Sequence, residues 1–177
     1  MMRALFIAFL LCFIFLANCQ KKEEPPVQTT VQSVPLQAQD EIRFLQDAAT
    51  RDPNNASIWI NLGNVFMDNA RYLDAIGAYE KALALTPDNV DVRVDMGTCY
   101  RRVGQFDGAA EEFRKAITID PRHPLAHRNL GVVLAYDLHD NTQAIKEFEE
   151  YLRLSPDAPD SDKIRQLVSK LKSDPVR

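Results

Sequence analysis

Cysteine, glycine and histidine are scarce in this 177-residue chain, at 3, 6 and 3 residues. So few leave little material for a disulfide framework, a phosphate-cradling glycine loop or a zinc site. Positive charge is not in excess either. With 21 Lys+Arg against 25 Asp+Glu, no basic stripe is available to neutralise a run of phosphates, which excludes a nucleic-acid partner. The chain carries no nucleophile elbow, no HExxH and no cysteine pair at metal spacing, so it reads as a non-enzyme that needs no cofactor or metal. His123 and His127 are four apart, but Pro124 between them keeps them off one helical face. The Asp-Asn groups at Asp52-Pro53-Asn54-Asn55 and Pro87-Asp88-Asn89 are turn chemistry rather than calcium ligands. What is present is 46% apolar and 26% charged residues, the balance of a globular domain.

The leading segment reads as an address. After Met1 to Arg3, residues Ala4 to Ala17 are apolar without a break. That run falls short of the roughly 20 residues a membrane span needs, so it fits a signal-peptide apolar region. Leu16-Ala17-Asn18-Cys19 then resembles a bacterial lipobox, with Asn18 where such boxes usually carry Gly, Ala or Ser. The resemblance implies removal of residues 1–18 and acylation of Cys19, which ties the chain to a lipid bilayer. With Gln20 rather than Asp next, it also implies the periplasmic face of the outer membrane of a Gram-negative bacterium. An uncleaved anchor and ordinary secretion are the alternatives. From Gln20 to Gln39, three prolines, five glutamines and no aromatic residue cannot repay the entropy of ordering, so residues 19–39 read as a lipidated cysteine and flexible tether. Cys99 then stands alone, as a buried or half-buried helix residue.

The rest is periodic. Gly63, Gly97 and Gly131 recur at a spacing of 34, each preceded by Leu or Met and followed by a helical apolar pattern. Around them recur Trp59, Leu62, Phe66, Ala75, Tyr79, Ala82 and Pro87; then Met96, Tyr100, Ala109, Phe113, Ala116 and Pro121; then Leu130, Leu134, Ala144, Phe148 and Pro156. This set resembles the tetratricopeptide repeat, a helix-turn-helix unit, in three copies at 56–89, 90–123 and 124–157. Arg93 and His127 replace the first unit's Trp59, one residue is inserted between Tyr136 and Gln143, and Tyr151 stands where a small Ala is usual. The resemblance implies an all-α fold, a right-handed superhelical stack of paired helices with flanking helices at both ends. Glycine and alanine would let the helices of a pair approach, while Phe66 and Tyr79 would fill the space between neighbouring pairs. A helix over 40–51, capped by Asp40, precedes the repeats; a capping helix over 160–172, capped by Asp160, follows them with Ile164, Leu167, Val168 and Leu171 on one face.

In this family the first helices of successive pairs line a concave groove that accepts a peptide. Carried over position by position, the resemblance implies Ile60, Asn61, Asn64 and Met67 from the first unit, with Ser57 and Asp68. From the second it implies Val94, Thr98, Arg101 and Arg102, with Asp91 and Asp95. From the third it implies Leu125, Arg128, Asn129, Val132 and Tyr136, with Ala135. Ile60, Val94, Leu125 and Val132 would make an apolar floor, the asparagines would bond a peptide backbone, and the arginines would hold a carboxylate. Ile60, Asp95 and Leu125 occupy places where chaperone-binding relatives need lysine for a two-carboxylate clamp, so that partner type is not expected. The expected role is a membrane-anchored scaffold that captures a protein or peptide during envelope assembly, whether of a pilus secretin, in cytochrome c maturation or in export. The alternative is a regulatory subunit of a cell-wall hydrolase or synthase. Homo-oligomerisation is open.

Overall fold

The computed structural model describes residues 35–173; the expected signal segment, Cys19 and nearly all of the tether lie outside them. The described residues form eight helices: α1 (Leu36–Arg51), α2 (Ala56–Asp68), α3 (Tyr72–Leu85), α4 (Val90–Arg102), α5 (Phe106–Ile119), α6 (Pro124–Tyr136), α7 (Asn141–Leu154) and α8 (Ser161–Ser173). Each packs on its neighbours in sequence, most extensively within α2/α3, α4/α5 and α6/α7, and α4 also touches α6. The result is an all-helical repeat stack. None of these helices is long and apolar enough to cross a membrane.

Helix starts follow the same 34-residue spacing as the glycines. The side chains of Asn55, Asn89 and His123 accept from the backbone N–H groups of Ser57, Val92 and Ala126 at 3.2, 3.1 and 3.2 Å, satisfying donors that a helix N-terminus leaves unpaired. The turns inside the first two pairs repeat as well. Arg71 N–H bonds Phe66 O and Ala70 N–H bonds Met67 O, as Gln105 bonds Tyr100 and Gly104 bonds Arg101; this is the Schellman arrangement. It needs a left-handed residue, supplied by Gly104 at φ 79° and, less comfortably, by Ala70 at φ 57°. The third turn carries the extra residue and places His139 at φ 58°.

Within each pair an aromatic ring of the second helix lies over the glycine of the first. A Cβ on Gly63, Gly97 or Gly131 would sit 2.4, 2.7 or 2.7 Å from Tyr79, Phe113 or Phe148, closer than carbon atoms can approach. The three rings are essentially fully buried. Tyr79 therefore fills the opening that Gly63 leaves inside its own pair, and it also faces Asp95 and Cys99 of the next pair.

The residues replacing Trp59 keep one of its functions. Trp59 Nε1 donates to Pro53 O at 2.9 Å, Arg93 Nη2 to Pro87 O at 2.8 Å, and His127 Nε2 to Pro121 O at 3.0 Å. Three side chains thus hold the preceding proline turn by the same bond. Facing Trp59 one turn along, the second helix carries Ala78; at the equivalent places it carries Glu112 and Glu147, which pair with Arg93 at 2.8 Å and His127 at 2.7 Å. Each polar replacement on the first helix is matched by a carboxylate on the second, so no buried charge is left alone.

Both flanking helices differ in detail from the sequence reading. α1 begins at Leu36 behind Pro35, with no side-chain cap, so Asp40 lies inside the helix and residues 36–39 are not tether; a proline before the first turn is compatible with helix initiation, and Gln37 and Gln39 are good helix formers. Asp160 does precede α8, but its carboxylate accepts from the Tyr151 hydroxyl and from Arg128 Nε. That use explains Tyr151, which reaches from α7 to the start of α8 instead of filling a small-residue position.

Candidate functional site

α4 and α6 lie side by side and leave a hollow of about 180 Å³ between them. Thr98, Arg101, Arg102, Arg128, Asn129 and Val132 line it, with the buried Phe113 ring from α5 beneath. Six of the residues implied by the repeat positions therefore share one depression. Ile60, Asn61, Asn64, Met67, Leu125 and Tyr136 lie outside that depression. Leu125 and Tyr136 are exposed, at 51% and 56%, so each offers apolar surface to solvent. Val94 is a correction: at 5% exposure it belongs to the core, and Thr98 Oγ1 bonds back to its carbonyl at 2.9 Å. Ala135 is buried too. An apolar floor including Val94 is not available to a ligand.

The three arginines are not equivalent. Arg101 Nε donates to Asp137, the residue that ends α6, at 2.5 Å. Arg128 Nε donates to Asp160 at 2.5 Å, and this guanidinium together with the Tyr151 hydroxyl holds Asp160 below the usual carboxylate range, the Tyr151 bond being the larger cause. Arg101 and Arg128 thus brace the hollow from α4 to the end of α6 and from α6 to the start of α8. Arg102 is exposed, with no ion pair to any described residue, and is the guanidinium free for an incoming carboxylate.

Between α2 and α4 the charge reverses. Burial pushes the Asp95 carboxyl up from 3.8 to about 6, and Asp91 and Asp68 nearby raise it further, against a lowering by His123. His123 Nε2 is 3.0 Å from Asp91. On this side Tyr79 donates its hydroxyl to Asn64 Oδ1 at 2.8 Å, which fixes the amide, and burial raises the Tyr79 phenol strongly. The Cys99 thiol beneath is pushed up to about 12 by burial and by Asp95, so it is a packed side chain rather than a nucleophile. The line of first helices is therefore acidic at one gap and basic at the next. Reading side chains singly did not reveal this, although the Asp68, Asp91 and Asp95 spacing across two repeats carried the signal.

A second hollow, about 410 Å³, opens between α1 and α3 over α2, with Ala49, Leu62, Phe66 and Ala78 as its apolar lining and Trp59 beside it. Lys81 Nζ stands 5.3 Å from the indole ring centre. Gly77, whose place in the next unit is taken by Glu111, leaves this side open.

Two profiles of the family described as "Tetratricopeptide repeat" match the sequence, one over residues 38–90 and one over 66–128. The chain is a tetratricopeptide repeat protein. Among solved structures, two crystal structures of MamA are similar, each at 21% identity. One has TM-score 0.70 over 76% of this chain and 78% of that one; the other has 0.71 over 77% and 74%. The first tetratricopeptide repeat domain of Spaghetti (RPAP3), solved bound to the HSP90 peptide SRMEEVD, matches with TM-score 0.63 at 21% identity, over 67% of this chain and 94% of that one. These likenesses show the fold. No curated protein matches the sequence.

The repeat protein's half-buried Asp95 carboxylate gives a signed stability test. Asp95 titrates near 6 when folded and at the ordinary 3.8 when unfolded, so its charge opposes folding above about pH 6, and that opposition fades as pH falls through this window. Asp95→Asn is expected to stabilise the domain by about 1–2 kcal/mol at neutral pH after allowance for solvent screening, and by nothing below about pH 4. Urea unfolding of both proteins across that range checks it; a difference that does not vary with pH contradicts the assignment.

Proposed function

We propose that this protein is a non-enzymatic scaffold whose line of first helices captures a segment of another polypeptide. The observation that carries this reading is the depression between α4 and α6, with Arg102 unpaired at its edge and Arg101 and Arg128 already immobilised by Asp137 and Asp160. A pre-braced site loses less conformational freedom on binding. The fitting segment places a carboxylate on Arg102, an apolar side chain over Val132, and a basic residue toward Asp91 and Asp95. Since Ile60, Asp95 and Leu125 stand where a two-carboxylate clamp would need lysine, the acidic tail held by the Spaghetti domain is not the ligand we propose.

A photo-crosslinker at Asn129 in the producing cells is expected to trap this partner. Arg102→Glu should reduce capture about tenfold or more, because the side chain is exposed and its loss leaves the fold intact, whereas Lys81→Glu on the other hollow should leave capture unchanged. Undiminished capture by Arg102→Glu contradicts the groove reading. Reversing Arg101 would be uninformative, since it also breaks the brace to Asp137.

The proposed setting is the cell envelope, where the scaffold would assist assembly of a secretin, cytochrome c maturation or export. The lipobox resemblance of Leu16 to Cys19 and the chemistry of the tether support it. Metabolic labelling with an alkyne palmitate analogue is expected to mark the wild-type protein, and Cys19→Ala to abolish the mark; labelling that survives the substitution contradicts the anchor.

A further inference from the structure

The two ends of the stack are finished differently. At the trailing end α8 buries Ile164 and Val168 and turns Lys163, Lys170 and Lys172 to solvent, so nothing further needs to pack there. At the leading end α1 uses Ile42, Leu45 and Ala49 against the stack but leaves Phe44 64% exposed. The 34-residue register explains why this is unusual. Glu41, Phe44 and Ala48 of α1 stand where α3 has Ala75, Ala78 and Ala82, and where α5 has Ala109, Glu112 and Ala116. Those six residues are all buried, and Glu112 is held by Arg93 of the first helix of its own pair. Among the described residues α1 is thus a second helix with no first helix paired to it, and its pairing face is uncovered.

That face matches itself. Glu41, Phe44, Ala48 and Arg51 recur at three- and four-residue steps and form one stripe on α1. In an antiparallel pair of such stripes with residue numbers summing to 92, every Phe44 meets an Ala48 and every Glu41 meets an Arg51. Large faces small, and acid faces base, at both ends of the contact. Glu41 has no ion pair among the described residues, and Arg51 spends only its Nε, on the Asp47 carbonyl of its own helix. We propose that α1 is a self-complementary interface that pairs antiparallel with α1 of a second copy about a two-fold axis, each Phe44 seated on the other copy's Ala48 and each Glu41 paired with the other copy's Arg51. The second copy's helix supplies what the first helix of a pair supplies elsewhere in the stack. One helix pair makes a small, reversible interface, so association depends on concentration and would be favoured by confinement to a surface.

Sedimentation velocity of the full chain in mild detergent, over a wide dilution series, tests this. A reversible monomer–dimer equilibrium is expected. Phe44→Glu should weaken it about tenfold or more, as should Glu41→Arg alone, which sets like charges opposite each other. Combining Glu41→Arg with Arg51→Glu should restore wild-type association, because the symmetric contact then regains opposite charges. All four residues are at the surface or half-buried, and circular dichroism confirms that each variant is folded. A monomer at every concentration overturns the proposal, as it would if the face served a different protein. A dimer that ignores Phe44→Glu, or one that the charge swap fails to restore, overturns it equally.

Discussion

The structure depends on one steric fit repeated three times: a ring on the second helix of each pair occupies the place where the first helix lacks a side chain. Gly63, Gly97 and Gly131 each admit an aromatic residue to a distance that any Cβ would forbid. The same contact sets how far apart the helices of a pair stand, and through the buried Phe113 ring it sets the depth of the hollow between α4 and α6. Site and core are thus not separate layers. The ring that stabilises the second repeat is also the bottom of the depression a partner would enter.

Around that fit, the polar groups of the concave side divide into those that hold the protein together and those left for something else. Asp137 and Asp160 each take one arginine out of circulation, and Tyr151 joins the second of these pairs. Such bonds fix the walls of the hollow at the positions where α6 ends and α8 begins. Arg102 on one side, and Asp68 and Asp95 on the other beside the Asp91 that His123 holds, remain as opposed charges along one line. A polar pattern of this kind selects the direction of a bound segment as well as its composition.

Much of the fold was legible because its signals are local and recurrent. The 34-residue spacing of glycine gives the pairing, and that of Asn55, Asn89 and His123 gives the helix starts. The site was legible only as a set of positions. That Arg101 and Arg128 are already engaged depends on partners 36 and 32 residues away, which lie beyond any local pattern. The burial of Val94 follows from the neighbours α4 acquires by packing, and not from its own residue type. Arg93 and His127 looked like departures from the repeat when read alone; Glu112 and Glu147, 19 and 20 residues on, show them to be replacements made in pairs. The start of α1 was missed because its first turn carries no apolar periodicity and Asp40 offered a plausible cap.

The account rests most directly on the glycine seats, and a double-mutant cycle on the second repeat tests them. Gly97→Ala places a methyl group 2.7 Å from the Phe113 ring, and denaturant unfolding should show a loss of about 2 kcal/mol or more, in the range of overpacked cores. In a Phe113→Leu background, where the obstructing ring edge is gone, the same substitution should cost about 1 kcal/mol less or better. A Gly97→Ala protein as stable as the wild type, or one whose loss is the same with Phe113 or Leu at the facing position, would contradict the claim that this contact sets the spacing of the stack.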